Sequence, residues 1–262
     1  MDSHRISGRI LAENIAGPGM MRLVEQSMQA QAQKTSVTEI AVKEWKHPQA
    51  ALTFDDGPDI RYTPLLLDGL KERNVRASFF LLGEKVEQYP ELVERMQKEG
   101  HLVGNHTYHH VQLNKLNETK AREEILKTNN LIYETTGVYP LYLRPPFGAW
   151  KKNLELCVEM LPVFWTIDTL DWKVKNTEKI VRTVKEQIED GAIILMHDEY
   201  DTSVEAALQV VDELKNQGYE LFGFDCFFSG ISLYCKAETG ISRRRRKKQR
   251  SCAYGTFFQY GQ

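Results

Sequence analysis

Two adjacent carboxylates, Asp55 and Asp56, end the apolar run in AALTFDDGPD and lead straight into Gly57 and Pro58. On a surface turn such a pair is ordinary, because Asp, Gly and Pro are the common turn residues. At the end of a buried strand it has another use. Side-chain alternation would send the two carboxylates different ways, free for two different tasks. NHTYHH, Asn105 to His110, supplies possible partners. His106 and His110 are spaced i, i+4, which on a helical turn puts them on one face about 6 Å apart along the axis. Two histidines with this spacing can share a zinc ion. His109, three residues after His106, competes for the same face. Two neutral imidazoles and the Asp56 carboxylate complete a three-ligand metal set with one position open to water.

Three more segments carry groups of the right kind. Arg144 in LRPPFG presents a rigid, permanently charged fork suited to a carboxylate. The prolines after it, Pro145 and Pro146, fix the backbone so that the Phe147 N–H can face a developing oxyanion. FWTIDTLDW ends in Asp168, Asp171 and Trp172: either aspartate can hold a histidine in a required tautomer, and Trp172 can wall an apolar pocket. GAIILMHDE places His197 at the end of a strongly apolar run, where a partly buried imidazole can serve as a general acid near neutral pH.

These groups share one positional property. Short apolar runs (AALTF, RASFFLLG, HLVGN, LYLR, VFWTI, AIILM and YELFGF) alternate with longer segments of helical period, and the polar sets follow five of the runs. The intervening segments TPLLLDGLKERN, KVEQYPELVERMQKEG, LNETKAREEILKTNNLIYETTG, KKNLELCVEM, TEKIVRTVKEQIEDG and SVEAALQVVDELKNQG read as helices. In SVEAALQVVDELKNQG, for instance, Val204, Leu208, Val211 and Leu214 recur at steps of three and four before Gly218. Alternation of this kind predicts βαβ units and a parallel sheet, open and doubly wound or closed into a short barrel. In such folds functional groups collect beyond the C-terminal ends of the strands, so all five sets fall on one rim.

The chain has 262 residues and an ordinary globular composition, and nothing in it approaches a membrane-spanning apolar stretch. Residues 1–48 read as an N-terminal extension and residues 223–262 as an atypical tail. Arg243 to Arg250 carries seven cations although the formal net charge is −2, so the remainder is acidic. A run of like charges reads as a disordered, solvated tail, with contact to anionic polymers as the alternative and no nucleic-acid role expected. Cys157, Cys226, Cys235 and Cys252 form no CxxC pair, which argues against a zinc ribbon or a disulfide framework. No secretory signal is visible at the start.

In order and type, TFDDGPD, HTYHH, RPPFG, DTLDW and LMH resemble the five motifs of the polysaccharide deacetylase family, the NodB-homology domains of carbohydrate esterase family 4. The resemblance covers about residues 49–222 and implies an α/β fold, a distorted (β/α) barrel of seven or eight strands. It further implies metal-dependent removal of acetyl groups from an amino-sugar polymer, with Zn2+ as the metal and Co2+ as the alternative. Carried over position by position, it makes Asp55 the general base. Asp56, His106 and His110 become the metal ligands, with His109 their neighbour. Arg144 would pair with Asp55, the Phe147 N–H would help hold the oxyanion, and Asp171 would orient the acid His197. Trp172, Leu195 and Pro146 would line the substrate pocket. Some members have Asn where this chain has Asp56, and the aspartate favours metal dependence. The motifs look most like those of enzymes acting on peptidoglycan N-acetylglucosamine, which implies the cell envelope or extracellular space. Chitooligosaccharide, acetylated xylan and a non-catalytic glycan-binding role are the alternatives.

Overall fold

A computed structural model describes residues 47–150, 158 and 160–224. The first strand, β1 (Gln49–Asp55), is buried along its whole length, as expected for a parallel strand covered on both faces. Its alternation separates two environments. Ala50, Leu52 and Phe54 join the layer packed under the helices, whereas Ala51 packs inward with Phe80, Val163, Ile193 and Phe224. Asp55 therefore belongs to the inward set, two residues above Thr53 and four above Ala51.

The chain continues through α1 (Thr63–Glu72), β2 (Ser78–Leu81), α2 (Gly83–Gln88), α3 (Pro90–Lys98), β3 (Leu102–Asn105) and α4 (Glu118–Thr136). It then forms the two-residue strands β4 (Tyr142–Leu143), β5 (Leu161–Pro162) and β6 (Ile167–Asp168). The short α5 (Asp171–Val174), α6 (Thr177–Gln187), β7 (Ala192–His197), α7 (Asp201–Asn216) and β8 (Glu220–Phe222) follow. All strand pairings among the described residues are parallel, in the order β5-β4-β3-β2-β1-β7-β6, with β8 also against β1. The result is a curled, distorted (β/α) barrel. No pairing joins β5 to β6 among the described residues, so the sheet is open at that seam. Register places Thr53 beside Leu195 and Asp55 beside His197, which brings two sequence-distant motifs to one height on the rim.

Several expectations change. VFWTI is not a strand: Val163 to Thr166 bridge β5 and β6, and only Ile167 enters regular pairing. KVEQYPELVERMQKEG forms two helices, because Pro90 cannot supply the N–H needed to continue α2 and instead occupies the first turn of α3. The buried core extends past the expected boundary at 222: Phe224 is buried and its N–H donates to Ser78 Oγ at 2.8 Å. The predicted helix KKNLELCVEM, apart from Val158 and Met160, lies outside the described residues, as do the four cysteines, residues 1–46 and the basic run. Among the described residues no helix is long and apolar enough to cross a membrane.

Local signals set the longer helices. Asn117 precedes α4 and accepts from the Lys120 N–H at 2.9 Å, and Gly137, at φ 72°, ends it in the left-handed conformation. Asn176 caps α6 in the same way through Lys179.

One glycine links the packing of the sheet to the rim. A Cβ on Gly104 would lie 2.6 Å from the Phe80 ring and 3.2 Å from the Tyr142 carbonyl oxygen. The Phe80 ring is the surface on which the Arg144 guanidinium rests, 4.2 Å from its centroid. Gly104→Ala is expected to destabilise the chain by about 1–3 kcal/mol through overpacking, measured as a lower urea midpoint at unchanged m.

Candidate active site

Alternation within β1 sends Asp55 inward, but Asp56 does not take the opposite direction. The strand ends at Asp55, and Asp56 holds φ 69°, a left-handed backbone that turns its side chain back to the same rim. Both carboxylates then approach one atom, His106 Nε2: Asp56 Oδ1 at 3.3 Å and Asp55 Oδ2 at 3.7 Å. The two acids are nevertheless held differently. Asp55 is buried and its Oδ1 accepts from Arg144 Nη1 at 2.7 Å. The same guanidinium nitrogen donates to Thr53 Oγ1 at 2.7 Å, and the Thr53 hydroxyl donates to the Ile194 carbonyl at 2.7 Å. Burial discourages the charge on Arg144, and Asp55 opposes that effect. Arg144 is thus fully buried, not a surface arginine.

The histidine segment is a loop and not a helical turn. Thr107 at φ 67° and His110 at φ 54° bend it, and the His106 and His110 rings still meet with centroids 5.1 Å apart. Asn105 holds the bend: its Oδ1 accepts from the Thr107 N–H at 2.6 Å, while its amide donates to Ile125 O and Asn129 Oδ1. Asn105 and Thr53 are positioning residues that sequence reasoning did not single out; the available signal was a polar residue inside each apolar run. His109 turns elsewhere, its exposed ring bonded through Nδ1 to Glu124 Oε1 at 2.7 Å. Glu124 also accepts from the backbone N–H groups of Tyr108 and His109.

Asp56, His106 and His110 can bring one ligand atom each within 4.8 Å of one another, the only such group found among the described residues. The fit to a divalent metal rests on three observations. Asp56 Oδ1 is buried without a hydrogen-bond partner. It lies 3.3 and 3.4 Å from the Nε2 atoms of His106 and His110, close to the separation of about 3.3 Å between two ligands each about 2.0–2.1 Å from a tetrahedral zinc. His106 Nδ1 is 2.7 Å from the Arg144 carbonyl, so it donates there and leaves the Nε2 lone pair facing Asp56. Burial lowers the pKa of His110, with Asp56 opposing, which favours the neutral ring that binds metal. Burial works against the charge on Asp56, but in the metal-free chain a protonated His106 ring, with His110 and His197, more than offsets it and holds the carboxyl well below the usual range.

Opposite this group stands His197. Of the two aspartates left open by the sequence, Asp171 is its partner. Asp171 Oδ1 accepts from the His197 ring Nδ1 at 2.8 Å and Oδ2 from the His197 backbone N–H at 2.8 Å. Asp168 instead accepts from the Leu170 N–H. The double grip fixes the Nδ1–H tautomer and aims Nε2 at the rim, 3.9 Å from Asp56 Oδ2. Burial would lower the His197 pKa, yet the Asp171 hydrogen bond and charge, with Asp55 and Asp56, raise it to about 9.

The expected pocket residues follow or precede members of this centre by one or two positions in the chain. Leu195 is buried two positions before His197 on the same face of β7. Trp172, on α5, is 49% exposed. Pro146 is buried, and Phe147, 62% exposed and at φ 59°, sets its ring 4.5 Å from that of His110, tilted by 50°.

The polysaccharide deacetylase profile matches residues 43–163. The chain is 42% identical over 175 residues to the peptidoglycan-N-acetylglucosamine deacetylase PgdA of Listeria monocytogenes, an alignment covering 67% of this chain but only 38% of that protein. A peptidoglycan-N-acetylglucosamine deacetylase of Bacillus cereus is 36% identical over 177 residues, covering 64% of this chain and 83% of the relative. The solved structure of the peptidoglycan deacetylase PdaC from Bacillus subtilis superposes with a TM-score of 0.69 at 36% identity, covering 79% of this chain and 98% of that one. With its barrel, its Asp-His-His group and its paired Asp55–Arg144 and Asp171–His197, the chain belongs to the polysaccharide deacetylase family.

Proposed function

We propose that this chain is a metal-dependent deacetylase that hydrolyses N-acetyl groups of peptidoglycan, with N-acetylglucosamine as the residue attacked and Zn2+ as the ion. The observation that carries the reading is the convergence on one rim of a metal-ligating trio, a carboxylate held by a buried arginine, and a histidine held by a buried aspartate. Relatives named as peptidoglycan deacetylases support the substrate. Such a substrate would put the reaction in the cell envelope or extracellular space.

Asp56, His106 and His110 would hold the ion. When bound, it supplies Lewis acidity, lowering the pKa of water and polarising the amide carbonyl. The chain's own groups provide the proton transfers. Asp55 has one oxygen engaged by Arg144 and the other facing the rim, so it takes the proton of the attacking water. His197 carries its proton on Nε2 and gives it to the departing amine, a step that amide hydrolysis requires because an amine anion is a poor leaving group. Asp171 stabilises the imidazolium through that stage. The Phe147 N–H is the donor for the developing oxyanion. Trp172 and Leu195 offer apolar surface to the acetyl methyl group.

The deciding experiment is acetate release from peptidoglycan, chitooligosaccharide and acetylated xylan, with and without chelator. Release from peptidoglycan that stops with chelator and returns with Zn2+ is the expected result; release unaffected by metal removal, or none from any polymer at full metal occupancy, refutes the reading. Asp55→Asn is expected to abolish turnover while retaining bound zinc, whereas Asp56→Asn weakens both, read by acetate assay beside metal analysis. Asp171→Asn removes the hydrogen bond and charge that raise the His197 pKa and leaves burial, which lowers it. In the metal-free protein the His197 pKa is therefore expected to fall below about 9, and an NMR titration of the variant beside the unaltered chain reads the change. The same variant loses kcat by about 100- to 10,000-fold, the contribution of a positioned general acid.

A further inference from the structure

We infer that Asp198 is a positioning residue for the metal ligands: from the position after His197, its buried carboxylate grips the Gly57–Thr63 loop and sets the spacing between Asp56 and His197. The inference rests on the reading of Asp56, His106 and His110 as metal ligands.

Asp198 has no assigned part in the chemistry and is completely buried. Its two oxygens touch the two ends of one loop. Oδ2 accepts from the hydroxyl of the buried Thr63. The Thr63 oxygen in turn accepts from the Asp59 N–H at 2.7 Å, and Asp59 Oδ1 accepts from the N–H groups of Arg61 and Tyr62 at 2.8 and 2.9 Å. At the other end, Oδ1 occupies the space a side chain at Gly57 would need: a Cβ there would lie 2.5 Å away. Gly57 follows Asp56, and Asp198 follows His197. A single side chain therefore couples the backbone that carries the metal-ligating carboxylate to the backbone that carries the acid; His197 Nε2 and Asp56 Oδ2 stand 3.9 Å apart.

The carboxylate is held there at a cost. Burial pushes its pKa up to about 7, opposed by the Thr63 hydrogen bond and by Lys85, which is itself paired with Glu199. Oδ1 has no hydrogen-bond partner among the described residues. A purely packing role would be met at lower cost by an apolar side chain; an acceptor for Thr63 would not.

The test is the zinc affinity of the metal-stripped full chain, measured by competition with a chromophoric chelator, with folding checked by circular dichroism. Thr63→Val and Asp198→Ala are each expected to weaken zinc binding by about 10- to 100-fold, as loss of groups supporting metal ligands does. The double variant loses no more than the worse single one, because both remove the same contact. Asp198→Asn keeps an oxygen to accept from Thr63 and retains affinity close to that of the unaltered chain. Should Asp198→Ala not fold, Thr63→Val, which is nearly isosteric, decides. A folded Thr63→Val chain with unchanged zinc affinity overturns the inference, and so do additive losses in the double variant or an Asp198→Asn chain as weak as Asp198→Ala. The measurement uses no glycan, so an unaltered chain that binds zinc but releases no acetate overturns the proposed function alone. An unaltered chain that takes up no zinc overturns both.

Discussion

The buried contact between Arg144 and Asp55 is the constraint around which the rim is arranged. Removing one member of a buried ion pair commonly costs about 3–5 kcal/mol, because the survivor is left charged and unpaired. Here each partner is also tied to the sheet. Arg144 reaches β7 through the Thr53 hydroxyl and the Ile194 carbonyl, and rests on the face of Phe80. Its backbone carbonyl, meanwhile, fixes the ring of His106. One residue thus orients a carboxylate with its side chain and an imidazole with its main chain. An uncharged replacement that preserved the shape would still leave Asp55 facing the interior without a counter-charge.

The two histidines at the centre show how the partner of Nδ1 decides what Nε2 can do. A neutral carbonyl beside His106 holds the ring in place without adding a negative charge, which suits a ligand that donates a lone pair. A carboxylate beside His197 adds both the hydrogen bond and the charge, which suits a ring that must carry a proton. Similar side chains, set across a few ångströms from one another, are assigned to opposite tasks by the atoms behind them.

Much of this was legible in the sequence for a physical reason. Apolar runs followed by polar clusters mark parallel strands and their C-terminal ends, so the common rim could be read from AALTFDD, HLVGNH and AIILMH before any coordinates. Spacing also brought His106 and His110 together, though it suggested a helical turn where the chain forms a loop. Other features were not readable locally. Whether Asp168 or Asp171 holds His197 depends on where α5 begins relative to β7. Whether Arg144 is buried depends on Phe80 and Thr53, which are remote in sequence. VFWTI failed as a strand because Val163 and Trp165 pack into the inner cluster with Ala51, Phe80 and Ile193, a tertiary demand that periodicity does not record.

Five residues bordering the centre, Asp56, Thr107, His110, Phe147 and Leu170, hold φ between 52° and 69° although none is glycine. This conformation is uncommon for residues with a side chain, and it persists where surrounding contacts over-determine it. The five motifs are therefore not portable as strings. Grafted onto another barrel with relaxed loops, the same letters would supply the three carboxylates and three imidazoles of the site without the geometry that joins them. A successful transplant would have to carry the buried acceptors and donors that force the backbone to the left.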